Sequence, residues 1–200
     1  MNAATASRSA ERGETKVCPE AGPAVEVIEM EDDPKSEAKR DAERLLRITG
    51  NLGVAVEPAG IANRLGVQVL QGNFKVEAFG LLRMMPGKDP EIVLERRDGL
   101  IRRRMTCAYE LGHFVRRSAH TNDYYRLDLR ERDSEPSDMT DETYAKEFAA
   151  CLLMPEEVVK TLVELGMDDL EMAVWLVVSR EAVQIRLHDL GLGTVDLRAA

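Results

Sequence analysis

Between Leu100 and Val115 a single helix must carry an apolar stripe and a set of polar groups together. Ile101, Met105, Ala108, Leu111, Gly112 and Val115 recur at spacings of three and four, the pattern of a helix packed into a core. Tyr109 and His113 lie four apart and share a face, and Glu110 stands beside that face. The spacing predicts a buried helix that bears polar residues, on which the rest of the chain converges.

The elements on either side follow from period and punctuation. Ala38, Ala42, Leu45, Leu46 and Thr49 predict an amphipathic helix from Ser36, ended at Gly50-Asn51 by residues suited to a left-handed cap. Glu57-Pro58 opens a second, shorter helix with Ile61, Ala62 and Leu65 inward, stopped by Gly66. Strands are expected at Val67–Leu70, Phe79–Met85 and Ile92–Leu94, the last two joined by the turn composition of residues 86–90. Residues 124–139 are dense in charge and short of periodicity, and predict a long surface loop. Thr140 is the expected N-cap of a helix whose inward stripe is Ala145, Phe148, Ala149 and Leu152. Glu142 falls on that stripe, so its carboxylate needs a partner inside the fold. Three further helices are expected: Glu156–Leu165, Leu170–Val178 with the only tryptophan, Trp175, and one capped by Ser179 with Val183, Leu187 and Leu190 inward.

Composition bounds the classes. Residues 1–34 lack sustained periodicity and are expected to be a disordered arm, with Val25, Val27, Ile28 and Met30 as a short apolar island. Residues 35–200 suit one domain. A net charge of -9 argues against non-specific attraction to nucleic acid or anionic lipid. Three cysteines, Cys18, Cys107 and Cys151, make no disulfide framework, and Cys107 and Cys151 are expected to be core thiols. With no signal-peptide run and no stretch of membrane-spanning length, the expected compartment is cytoplasmic and no membrane partner is expected.

Tyr109-Glu-Leu-Gly-His113 is the back part of His-Glu-x-x-His, in which two histidines hold zinc and the glutamate activates water. Four features stand in order: residues 57–66 before a strand, this motif, Glu142-Thr-Tyr-Ala-Lys-Glu-Phe-Ala-Ala-Cys-Leu-Leu-Met-Pro155, and Val178-Ser-Arg-Glu-Ala-Val-Gln-Ile-Arg-Leu187. Together they resemble the ImmA/IrrE family of metallopeptidases, over roughly residues 38–193. The resemblance implies an α+β, zincin-like fold, read here as several helices on a small three-stranded sheet. It implies Glu110 as the catalytic base, His113 and Glu142 as zinc ligands, and Tyr109 in the place of the first histidine. It also implies a helix-turn-helix transcriptional repressor, of phage, mobile-element or stress genes, as partner.

Tyrosine is a poor substitute for that histidine, because a phenol with a free pKa of about 10 coordinates at neutral pH only if the metal itself makes the phenolate. His120 lies seven residues beyond His113, and seven residues of helix rise about 10.5 Å, too far to share an ion unless the helix ends between them. His188 is expected at the surface. Two outcomes for the pocket stand open: a zinc site, or a metal-free polar cluster in which Glu142 and His113 pair directly. Three functions follow: a regulator that binds its repressor without cutting it, an active zinc endopeptidase that cleaves it, and, ranked last, direct DNA binding through the C-terminal helices with Arg180, Arg186 and His188. The arginines at 102–104 and 116–117 are expected on solvated faces, paired with acids of the 128–141 segment, the functional alternative being that they hold an acidic segment of a partner.

Overall fold

Helix α1, Pro34–Thr49, starts on a proline that suits a first turn and ends at Gly50, whose φ of 65° is the left-handed cap anticipated there. The computed structural model in which it is seen describes residues 33–50, 55–118, 123–129 and 139–193. The N-terminal arm, Cys18 and His120 lie outside the described residues. Ala38, Ala42, Leu45 and Leu46 are the buried face of α1, which packs across α4 (Met139–Leu153). The Tyr144 hydroxyl donates to Asp41 at 2.7 Å, and Lys39 pairs with Glu156 at the start of α5 (Glu156–Glu164).

Helix α2, Pro58–Arg64, leads through Gly66, at φ 79°, into strand β1, Gln68–Gly72. Strands β2 (Ala78–Met84) and β3 (Glu91–Glu95) follow, and then the central helix α3, Leu100–Arg117. A fourth strand, β4 (Tyr124–Leu129), completes a sheet of order β1-β3-β2-β4. The first pair, β1 with β3, is parallel, whereas β2 runs antiparallel to both β3 and β4. The sheet therefore has four strands where the sequence predicts three, and residues 124–129 are not loop. In β4, Arg126 is buried while Tyr125 and Leu129 are exposed, so the usual alternation of apolar inward and polar outward is reversed. That reversal hides the strand from a reading of hydrophobic pattern.

α3 packs on β2 and β3 and also on α4. Its middle is consequently enclosed over most of its circumference. Thr106, Cys107, Ala108, Glu110, Leu111, Gly112, His113 and Phe114 are all buried. Ile101, expected inward, is 44% exposed, because the first turn projects past the layers that cover the rest. Two glycines set the approach. A Cβ at Gly80 of β2 would meet Thr106 Cγ2 at 2.6 Å, and one at Gly112 would meet Ala145 Cα and Phe148 Cδ1 at 3.1 Å each.

The C-terminal part is three short helices. After α5, helix α6 (Asp169–Leu176) opens on a capping box of Asp168 and Glu171 and ends at Val177, whose φ is 55°. In α7, Arg180–Asp189, the Ser179 hydroxyl caps the start by accepting from the Ala182 N–H at 3.1 Å. Val183 and Leu187 are buried as expected. Arg186 is buried too, contrary to its expected availability to DNA: its guanidinium donates to the Met154 carbonyl and to Glu147, both at 3.2 Å. Among the described residues no helix is long and apolar enough to cross a membrane.

The α3–α4 contact gives a direct test. Gly112→Val forces a branched side chain against the α4 backbone, and overpacking of this kind costs about 1–3 kcal/mol. Chemical denaturation should show the lower midpoint, and an unchanged midpoint would mean that the two helices are spaced by other contacts.

Candidate functional site

Three elements bring five polar side chains together. α3 supplies Tyr109, Glu110 and His113, α4 supplies Glu142, and β4 supplies Arg126. Gly80 and Gly112, on opposite sides of α3, allow the sheet and α4 to close on it. Glu110 and His113 are fully buried, and Glu142 and Arg126 nearly so.

Glu142 is the hub. The Tyr109 hydroxyl donates to its Oε2 and Arg126 Nη2 donates to its Oε1. Arg126 Nη2 also donates to the Tyr109 oxygen at 2.7 Å, so phenol, guanidinium and carboxylate form a closed triangle. The Arg126 guanidinium stands 5.4 Å from the Tyr109 ring centre, and the His113 ring meets Tyr109 edge-on at 4.8 Å. The expected direct pair between His113 and Glu142 does not form, since Arg126 and Tyr109 take the carboxylate instead. Among the described residues neither ring nitrogen of His113 has a hydrogen-bond partner.

The electrostatics follow the enclosure. Burial pushes the Tyr109 phenol above its usual value, and its hydrogen bond to Glu142 adds to that shift. Phenolate is thereby disfavoured. Burial lowers His113 to about 3, helped by the positive charge of Arg126, so the imidazole is neutral at ordinary pH. Burial raises Glu142, but the hydrogen bond from Tyr109 and the charge of Arg126 outweigh it and hold the carboxyl below its usual range. Burial likewise opposes the charge on Arg126, which Tyr109, Glu142 and Glu110 nevertheless keep in place.

Zinc fits this set poorly. A neutral imidazole with two unengaged nitrogens is what a metal ligand requires. Against that, both oxygens of Glu142 already accept hydrogen bonds, the phenol is held protonated, and a guanidinium faces the carboxylate. Among the described residues no group of three or more His, Cys, Asp or Glu is placed to hold an ion. The arrangement is that of a salt-bridged cluster.

Tyr109, Arg126 and Glu142 form one wall of a cavity of about 380 Å³ whose other lining includes Phe79, Met105, Leu129 and Ile185. Sequence reasoning placed Tyr109, Glu110, His113 and Glu142 but missed Arg126. Its only trace is the period-2 run Tyr124, Arg126, Asp128. Of the arginines expected on solvated faces, Arg116 does pair with Asp141 and Glu37 and Arg117 with Asp141. Arg104 is instead buried, donating to Glu57, to the Val56 carbonyl and to the Val177 carbonyl. His188 is 90% exposed, as expected.

Two measurements probe the cluster. Removing one partner of a buried pair strands the other charge at a cost of about 3–5 kcal/mol, so Arg126→Met should destabilise strongly and Arg126→Met/Glu142→Leu should recover much of the loss in a denaturation cycle. Additive losses would mean that the pair is not coupled. His113 has a folded pKa below its unfolded value near 6.5, so the unfolded chain takes up the proton first as pH falls. Its contribution should be level above pH 6.5 and decline towards about pH 3, a slope that His113→Phe removes.

A family model described as Peptidase_M78, IrrE N-terminal-like domain, matches residues 62–188. No curated protein matches the chain.

Proposed function

The chain belongs to the IrrE N-terminal-like family of metallopeptidase-fold domains, and from that premise we propose that it regulates transcription by binding a helix-turn-helix repressor without cutting it. The observation that carries the reading is the engagement of Glu142. A carboxylate that binds a metal must turn a lone pair to it, and here each oxygen already accepts a hydrogen bond, from Tyr109 or Arg126, with the guanidinium charge paired directly to the carboxylate. The peptidase framework remains, with a pocket beside the helix, and the proposed loss is the chemistry alone.

The occupant this reading favours is an extended segment of the repressor. β4 lies at one edge of the sheet, beside the cavity that Arg126 and Leu129 line. An edge strand offers unpaired N–H and C=O groups to an added strand, while a neighbouring pocket selects a side chain. Arg104 and Arg186 are both engaged inside the fold, and the net charge is negative, which supports a protein partner over DNA.

The second reading, an active zinc endopeptidase with Glu110 as base, is favoured by one observation: His113 is neutral and has no hydrogen-bond partner among the described residues. One experiment separates the two. The purified chain is incubated with a candidate helix-turn-helix repressor, with zinc or with a chelator. Binding is followed by calorimetry, and the repressor's length is read by mass spectrometry. Saturable binding that the chelator leaves unchanged, with the repressor intact, is the expected result. Cleavage that the chelator and Glu110→Gln both abolish would establish the peptidase instead.

A further inference from the structure

We infer that Arg126 is the resident cation of this pocket: its guanidinium does for Glu142 what a bound metal ion would do, and it closes the site to metal independently of Tyr109. What the pocket holds does not depend on whether a repressor is the partner.

The carboxylate of Glu142 sits almost out of water, where an ionised group persists only with a compensating charge. Arg126 provides that charge directly on Oε1. The same Nη2 also reaches the Tyr109 oxygen, and Tyr109 in turn donates to Oε2. A metal shared by His113 and Glu142 would have to displace the guanidinium from the carboxylate, or lie beside it and meet the repulsion of a like charge in a poorly solvated space. Acidification does not discharge an arginine, and no alkaline condition compatible with folding does so either. The barrier is therefore permanent.

Two side chains thus act at one place from different elements. Tyr109 offers a phenol in place of a nitrogen ligand on α3, while Arg126 brings a cation from β4. They are in direct hydrogen-bond contact. Restoring the histidine alone leaves the guanidinium on the carboxylate, so Tyr109→His by itself should not rebuild a metal site.

The test measures zinc content by elemental analysis and zinc affinity by competition with a chromophoric chelator. It compares the native chain, Tyr109→His, Tyr109→His/Arg126→Met, and that double variant with His113→Ala added. Circular dichroism checks that each is folded. Native protein and Tyr109→His should hold far less than one zinc per chain. The double variant should take up close to one and bind at least roughly tenfold more tightly than Tyr109→His, the scale by which neighbouring groups tune metal sites, and His113→Ala should abolish the gain. Arg126→Gln keeps a hydrogen-bond donor for Glu142 without its charge. It replaces Arg126→Met if that variant fails to fold, with the same expected result. Stoichiometric zinc bound through His113 in Tyr109→His alone would overturn the inference. So would a folded double variant that still takes no zinc.

Discussion

A carboxylate can be carried into this core only because a guanidinium meets it there. Glu142 is placed inward by the register of α4, and its charge would be intolerable without Arg126 and the Tyr109 hydroxyl. The condition propagates outward. Arg126 reaches the site only if β4 pairs with β2 in the observed register, in which Arg126 stands opposite Leu82. A slip by one residue would turn Arg126 to the other face and present Tyr125 or Leu127 to Glu142. The pairing of the edge strand, the seating of α4 against Gly112 and the protonation of Tyr109 are one linked arrangement.

The same device recurs at two other places. Arg104 ties α3 to the segment before α2 and to the carbonyl of Val177, where α6 ends in a left-handed residue. Arg186 ties α7 to the carbonyl of Met154 and to Glu147 of α4. In each case a long side chain satisfies main-chain oxygens left over at element ends, together with one acidic residue. Short helices that have little hydrophobic area of their own are held by these bonds as well as by packing. Arginines that a sequence offers as surface charge for a nucleic-acid partner can thus be structural bolts.

The pocket wall has a mixed character that bears on its use. Tyr109, Arg126 and Glu142 present a neutralised polar edge, and Phe79, Met105, Leu129 and Ile185 an apolar one. Specific recognition needs both kinds of surface, the apolar part for affinity and the fixed polar groups for orientation. His113 stands behind this wall, buried, neutral and edge-on to the tyrosine.

Much of this was legible in the sequence because helical periodicity is local. The inward faces of α1 and α4, the caps at Gly50 and Ser179 and the inward aim of Glu142 follow from residues a few positions apart. So does the grouping of Tyr109, Glu110 and His113 on one helix. The family resemblance rested on the order of such local signals, and the family match over residues 62–188 agrees with it. What no local signal revealed was the partner of Glu142. Arg126 lies 16 residues away on another element, within a strand whose charged side faces inward and so reads as loop. Burial of Arg104 and Arg186 escaped notice for the same reason. Sequence spacing determines which side chains share a helix face, but the choice of which charge meets which is made by strand pairing and by the exclusion of water, and both exist only once the layers have closed.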